Sequence, residues 1–287
     1  MNIHNLKQMV AAGNMEAVES AWMEAVEEGM PAEQLAEAVR ELVSGGHGEA
    51  AATLVWALVT ELAEQRGPSE ALSAAAVTAP LVPASDDLRE TIAGLYRQVH
   101  ADHEHLEGLL DASGLEAGQS MVRAIETLET CLAIEPGKYL ANRFDEQVLR
   151  AVGFDAAAGE FELTTPEGRS VRHEPKLLAD EFVVVEDVDF RVLCTFRRED
   201  LSKMITGDLE SVLRGMCMAH GGRIDSTELK DLLAGTHVAA GKWSSWWSRA
   251  RNAAKKSEQL SLEGRHPTVI EYHPAGRSLS EEFAGAV

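Results

Sequence analysis

The first 136 residues carry a helical period of apolar side chains that a sheet could not use. From Met15 to Glu28, Val18, Ala21, Trp22, Ala25 and Val26 follow the i, i+3, i+4, i+7 spacing of one buried helix face. Gly29-Met30-Pro31 interrupts it, because proline fits only the first turn of a new helix. Leu35, Ala38, Val39 and Leu42 resume the pattern, and Gly45-Gly46 stops it again. Ala50 to Ala63, Asp86 to Leu110 and Ser120 to Leu132 read as further helices, the last closed by Pro136-Gly137. Gly13-x-x-Glu16-Ala17 returns as Gly46-x-x-Glu49-Ala50, an offset of 33 residues. That period suits tetratricopeptide-like helix pairs, each burying its face only against its neighbour. An irregular bundle would also satisfy the pattern. In either case residues 1–136 read as a protein-interaction or spacer domain.

The period then changes. Residues 137–207 read as a small SH3-like β-barrel. Its strand candidates are Gln147–Val152, Glu160–Thr164, Arg169–Arg172, Phe182–Val185 and Phe190–Cys194. Gly159, Pro166-Glu167-Gly168 and Asp187 supply the turns. Residues 208–275 return to helix: Asp208 to His220, then Ser226 to Leu233 with Ser226 as N-cap, then Gly241 to Lys256. A hairpin of Gln259–Leu262 and Thr268–Tyr272 follows, turning at Glu263-Gly-Arg-His266. Three helices and a hairpin describe a winged-helix-like module, whose third helix takes the recognition role. Residues 276–287 read as a tail or the start of another helix. The fold class is therefore α+β and mainly helical.

On that third helix, Trp243, Trp246, Trp247, Ala250 and Ala254 share one stripe, which predicts a structural core for the module. The opposite face presents Ser245, Ser248, Arg249, Asn252, Lys255 and Lys256, and the hairpin turn adds Arg265. Between Lys242 and Lys256 there are five basic residues and no acidic one. Lysine and arginine displace counterions from a phosphate backbone, while serine and asparagine donate hydrogen bonds to it. These seven residues are the candidate contacts for nucleic acid or for a polymerase. A solvated face, or a docking face for protein, has the same composition.

Charge sharpens this division. The chain of 287 residues has a formal net charge of −21, which argues against the whole surface coating a polyanion. Residues 1–136 hold 6 basic and 23 acidic residues, 137–207 hold 10 and 14, and 208–287 hold 10 of each. The acidity belongs to the helical arm. The last 80 residues are neutral.

Other chemistry finds little support. Cys131, Cys194 and Cys217 match no zinc or redox spacing, and so sparse a set fits a reducing compartment. The N-terminus lacks a secretory pattern, and the most apolar run, Ala50 to Leu62, is too short for a membrane span. A soluble cytoplasmic protein without a membrane partner is expected. His100-Ala-Asp-His103-Glu-His105 is the densest metal-like cluster, since on a helix His100 and His103 would share a face with Glu104 and Glu107. It has no evident fourth ligand. There is no Gly-x-Ser-x-Gly, phosphate loop or dinucleotide fingerprint. Gly45-Gly-His-Gly48 follows no strand and reads as a helix stop. The expectation is a non-enzymatic protein with no catalytic residues, cofactor or metal.

The stretch Ala239 to Lys256 resembles a Trp-x-x-Trp-Trp-x-x-Ala-Arg-x-x-x-Lys-Lys signature. That signature is associated with N-terminal extensions of bacterial GreA/GreB-type transcription elongation factors. Val212-Leu-Arg-Gly and Gly222-Arg-Ile-Asp-Ser-Thr-Glu-Leu-Lys-Asp-Leu-Leu233 are similar to the two preceding helices of that family. The likeness covers 208–275, extends loosely over 137–207, and reaches 1–136 only in style. It implies a transcription-associated role with RNA polymerase as partner. The coiled-coil hairpin and FKBP-like domain of Gre factors find no counterpart here, so no catalytic residue carries over. The expected function is thus a transcription elongation-associated protein that contacts polymerase or nucleic acid through the winged-helix-like module. The acidic helical array would hold a protein partner. The alternative is a protein-interaction scaffold that never meets nucleic acid.

Overall fold

The computed structural model describes residues 3–118 and 120–276; the stretch expected to open a last helix, Arg277 to Phe283, lies outside them. The protein is α+β and mainly helical, with fourteen α-helices and two small sheets among the described residues. It divides into two compact units. Of the described residues, one holds those within 3–134, 153–162 and 172–180, the other those within 135–152, 163–171 and 181–276.

Eight helices of the first unit precede the first strand: α1 (Ile3–Ala11), α2 (Met15–Glu27), α3 (Ala32–Ser44), α4 (Gly48–Gln65), α5 (Pro68–Thr78), α6 (Asp86–Val99), α7 (Leu106–Ser113) and α8 (Met121–Leu132). Local chemistry sets their starts. Asn14 accepts a hydrogen bond from Ala17 N to cap α2, Ser85 accepts one from Leu88 N to cap α6, and Pro68 opens α5. Each apolar stripe is buried, with Trp22, Leu35, Leu42, Leu58, Leu88 and Tyr96 among the fully enclosed side chains. Helices pack both on the next helix, as α4 on α5 and α7 on α8, and on the second along the chain, as α1 on α3, α2 on α4, α3 on α5 and α4 on α6.

The expected helix from Asp86 to Leu110 is two helices. α6 ends at His100, whose backbone leaves the helical region at φ −111° and ψ 32°. His105 N then donates to the His103 ring nitrogen Nδ1 at 3.3 Å. A side chain close to the backbone has captured a donor the helix would have used. The histidine cluster therefore lies in a turn, not on the helical face that would have aligned its rings.

Five strands follow: β1 (Tyr139–Asn142), β2 (Val148–Asp155), β3 (Glu160–Thr164), β4 (Ser170–His173) and β5 (Phe182–Val185), with α9 (Pro175–Glu181) between the last two in sequence. Their order in the sheet is β4-β3-β2-β1-β5, and β1 pairs antiparallel with both β2 and β5. Two corrections apply to the expected strands. Tyr139–Asn142 is a strand the alternation did not reveal, because all four of its residues are buried. Phe190–Cys194 is not a strand but part of α10 (Phe190–Thr195). Asp189 caps that helix by accepting from Arg191 N, and its carboxylate also pairs with the Arg191 guanidinium at 2.9 Å. Phe190 and Leu193, three residues apart, enter the core that follows, while Val192 packs with Tyr139, Ala141 and Val148. Packing on two sides has overridden the β-branched look of the segment.

After α10 come α11 (Arg198–Gly207), α12 (Leu209–Ala219), β6 (Arg223–Asp225), α13 (Ser226–Leu233), α14 (Trp243–Lys256), β7 (Leu260–Glu263) and β8 (Val269–Tyr272). The sheet order is β6-β8-β7, with both pairs antiparallel. Ile270 on the central strand faces Ile224 on one side and Leu262 on the other. Strand β6 was not expected, being three residues long and dependent on β8 for its pairing. One apolar core joins Leu201, Ile205, Leu213, Met216, Leu229, Trp246, Ala250, Leu260 and Ile270. No helix among the described residues is long and apolar enough to cross a membrane.

Candidate nucleic-acid interface

Helix α14 is the surface to weigh, and its orientation is fixed by tryptophan. Trp246 is only 2 % exposed, and its indole Nε1 donates to the Ile205 carbonyl of α11 at 2.9 Å. Trp243 stacks on Trp246 at 5.3 Å between ring centroids and on Trp247 at 6.2 Å. Of the three tryptophans expected as core, Trp246 is fully enclosed, while Trp243 and Trp247 are half-buried against its edge. The Arg251 guanidinium lies 5.9 Å from the Trp247 ring centroid, within cation–π range. Of the five basic residues around α14, Arg251 is therefore the one whose charge already has a protein neighbour on the tryptophan edge.

The opposite face is open. Ser245, Ser248, Arg249, Asn252, Lys255 and Lys256 are all exposed. At 3.6 residues per turn they cover a stripe about 120° wide. Ser245 Oγ donates to the Lys242 carbonyl. Arg249, Lys255 and Lys256 form no ion pair among the described residues. Arg265, in the turn between β7 and β8, is likewise exposed and forms no ion pair among the described residues. The seven residues thus fall into two groups, six on one helix face and one on the hairpin turn. The hairpin is not wholly cationic, since Glu263 is exposed near Arg265.

The helices under this face are held tightly. A Cβ on Gly215 of α12 would come within 2.0 Å of the Val188 carbonyl oxygen, so only glycine lets the helix approach that loop. At the start of α13 the N-cap is Asp225, one residue before the expected Ser226. Its carboxylate accepts from Thr227 N at 2.7 Å and Glu228 N at 3.0 Å. Those two donors hold the Asp225 carboxyl below its usual range. Ser226 instead accepts from Thr268 N at its hydroxyl, tying α13 to the start of β8.

Among the described residues no group of three or more His, Cys, Asp or Glu side chains is placed to hold a metal ion. Burial pushes the thiols of Cys131 and Cys217 up to about 12 and that of Cys194 up to about 11. None is poised as a thiolate nucleophile.

The arrangement of α12, β6, α13, α14 and the β7–β8 hairpin is that of a helix-turn-helix with a wing. Residues 191–276 match the family model of the GRAD helix-turn-helix domain. That segment starts at Arg191 within α10, ahead of the boundary at 208 expected from sequence. It carries 13 basic and 10 acidic residues, so it is net positive inside a strongly acidic chain. No curated protein and no solved structure matches the chain.

Proposed function

We propose that this protein is a non-enzymatic, transcription-associated factor whose helix-turn-helix module meets nucleic acid along the exposed face of α14. The observation that carries the reading is the pairing of that module with an exposed cationic stripe whose Arg249, Lys255 and Lys256 form no ion pair among the described residues. Arg249, Lys255 and Lys256 would take phosphates, Ser248 and Asn252 would donate to backbone oxygens, Ser245 would join them by exchanging the Lys242 carbonyl for a phosphate oxygen, and Arg265 would extend the contact from the wing. Phosphate contacts of this kind fix register and carry little sequence information.

RNA polymerase is the proposed protein partner. The likeness of 239–256 to Gre-type extensions supports it, and so does an acidic helical unit of the kind that presents continuous faces to other proteins. The test is affinity capture of RNA polymerase from the source cells, with and without nuclease. Recovery in both conditions supports a direct protein contact. Recovery lost with nuclease supports tethering through nucleic acid, and failure in both contradicts the polymerase assignment.

A further inference from the structure

The helical unit carries a second surface that the reading above does not use. Trp56, on α4, is 40 % exposed, yet its indole Nε1 donates to Thr91 Oγ1 on α6 at 3.1 Å. The ring is thus clamped across two helices with part of its surface in solvent. Two clefts of about 480 and 530 Å³ open along the α4–α6 seam and share Trp56 as a wall. Their linings include Glu49, Glu64, Asp87 and Glu90, and no lysine, arginine or histidine. All four carboxylates are exposed, and none forms an ion pair among the described residues. Asp87 and Glu90 stand one turn apart on α6, where like charges repel.

We propose that this groove docks a lysine- or arginine-bearing segment of a protein partner, with one cation over the exposed face of Trp56 and its neighbours paired with the carboxylates. Three observations select that occupant. The aromatic is pre-oriented, so little side-chain freedom is lost on contact. Its flanks carry one sign of charge, and a cation over a tryptophan face is the strongest form of cation–π contact. The distance along α4 from Glu49 to Glu64 is about 22 Å at 1.5 Å per residue, which suits about seven residues of extended chain. An apolar helix would leave four carboxylates unpaired at its rim, and a nucleic acid would be repelled. This inference stands apart from the nucleic-acid reading of α14.

The test uses the full chain and a fluorescein-labelled peptide of alternating arginine and glycine, with anisotropy read at about 150 mM salt. Trp56→Ala should weaken binding about tenfold, and Trp56→Phe should hold it within about threefold. Glu64→Gln with Glu90→Gln should weaken it comparably, with the melting midpoint of each variant showing the fold intact. Glu16→Gln with Glu19→Gln removes the same charge from the exposed face of α2 and should leave affinity unchanged. The proposal is overturned if the α2 variant loses as much as the groove variant, if Trp56→Ala binds like the parent, or if spermine displaces the peptide at equal charge. Each of those outcomes would mark diffuse attraction to an acidic surface.

Discussion

Trp246 on α14 donates its indole N–H to the carbonyl of Ile205, a buried residue in the last turn of α11, at 2.9 Å. A donor from α14 therefore closes on a helix that lies outside the three-helix core expected from sequence. The bond makes α11 part of the platform under α14. Trp246→Ala should cost roughly 3–5 kcal/mol through lost packing and an exposed cavity. Trp246→Phe keeps most of the volume but strands the Ile205 carbonyl, at roughly 1–3 kcal/mol. Trp243→Ala should cost less than Trp246→Ala, since Trp243 is only half-buried. Denaturant unfolding of the three variants gives the ranking; equal losses at Trp243 and Trp246 would contradict it.

Gly215→Ala tests the close approach of α12 to the loop before α10. The added Cβ meets the Val188 carbonyl oxygen, which is backbone and cannot rotate away. A loss of roughly 1–3 kcal/mol is expected from overpacking. A midpoint unchanged in urea would mean the loop moves freely.

Asp225 gives a pH signature with a definite sign. Two backbone donors favour its carboxylate, so its folded pKa lies below the ordinary value of 3.8. A depressed carboxylate contributes stability that is present above the unfolded pKa and is lost as pH falls through the folded one. Asp225→Asn retains a capping oxygen but does not titrate. The difference in melting midpoint between parent and variant should be constant above about pH 5 and change only as the pH drops below the ordinary carboxylate range. A difference that is flat down to acid unfolding would remove the cap from the account.

Thiol chemistry offers a fourth check. Cys131 and Cys217 are buried, and only Cys194 has partial access to solvent. At about pH 8 a thiol reagent should modify one cysteine slowly in the folded protein and all three after denaturation. Rapid reaction of two or more thiols in the native state would contradict the packing described.

The helical class was legible because Val18, Trp22, Leu35, Val39 and Leu42 repeat at a period only a helix uses. The α14 face was legible for the same reason: once Trp246, Ala250 and Ala254 turn inward, Ser245, Arg249 and Lys256 must turn outward. Sequence reasoning failed where contacts distant in sequence decide. Phe190–Cys194 looked like a strand until Asp189 and two separate cores made it a helix. Strand β6 exists only because Ile270 offers it an edge. The break at His100 is a change of backbone angles, which apolar periodicity cannot register. The Trp56 groove was missed because its acidic flanks look like any solvated helix surface, and only the bond to Thr91 shows that the ring is held.

The most direct test of the central claim is a salt titration of DNA binding by the full chain. A labelled mixed-sequence duplex is titrated by anisotropy for the parent and for Arg249→Glu with Lys256→Glu. If Arg249, Lys255, Lys256 and Arg265 each meet a phosphate, the logarithm of affinity should fall with the logarithm of salt at a slope of about −3 to −4. The double variant should lose at least about tenfold in affinity and show a shallower slope. An affinity and a slope left unchanged by the two reversals, or no binding by the parent even at low salt, would show that this face of α14 does not meet nucleic acid.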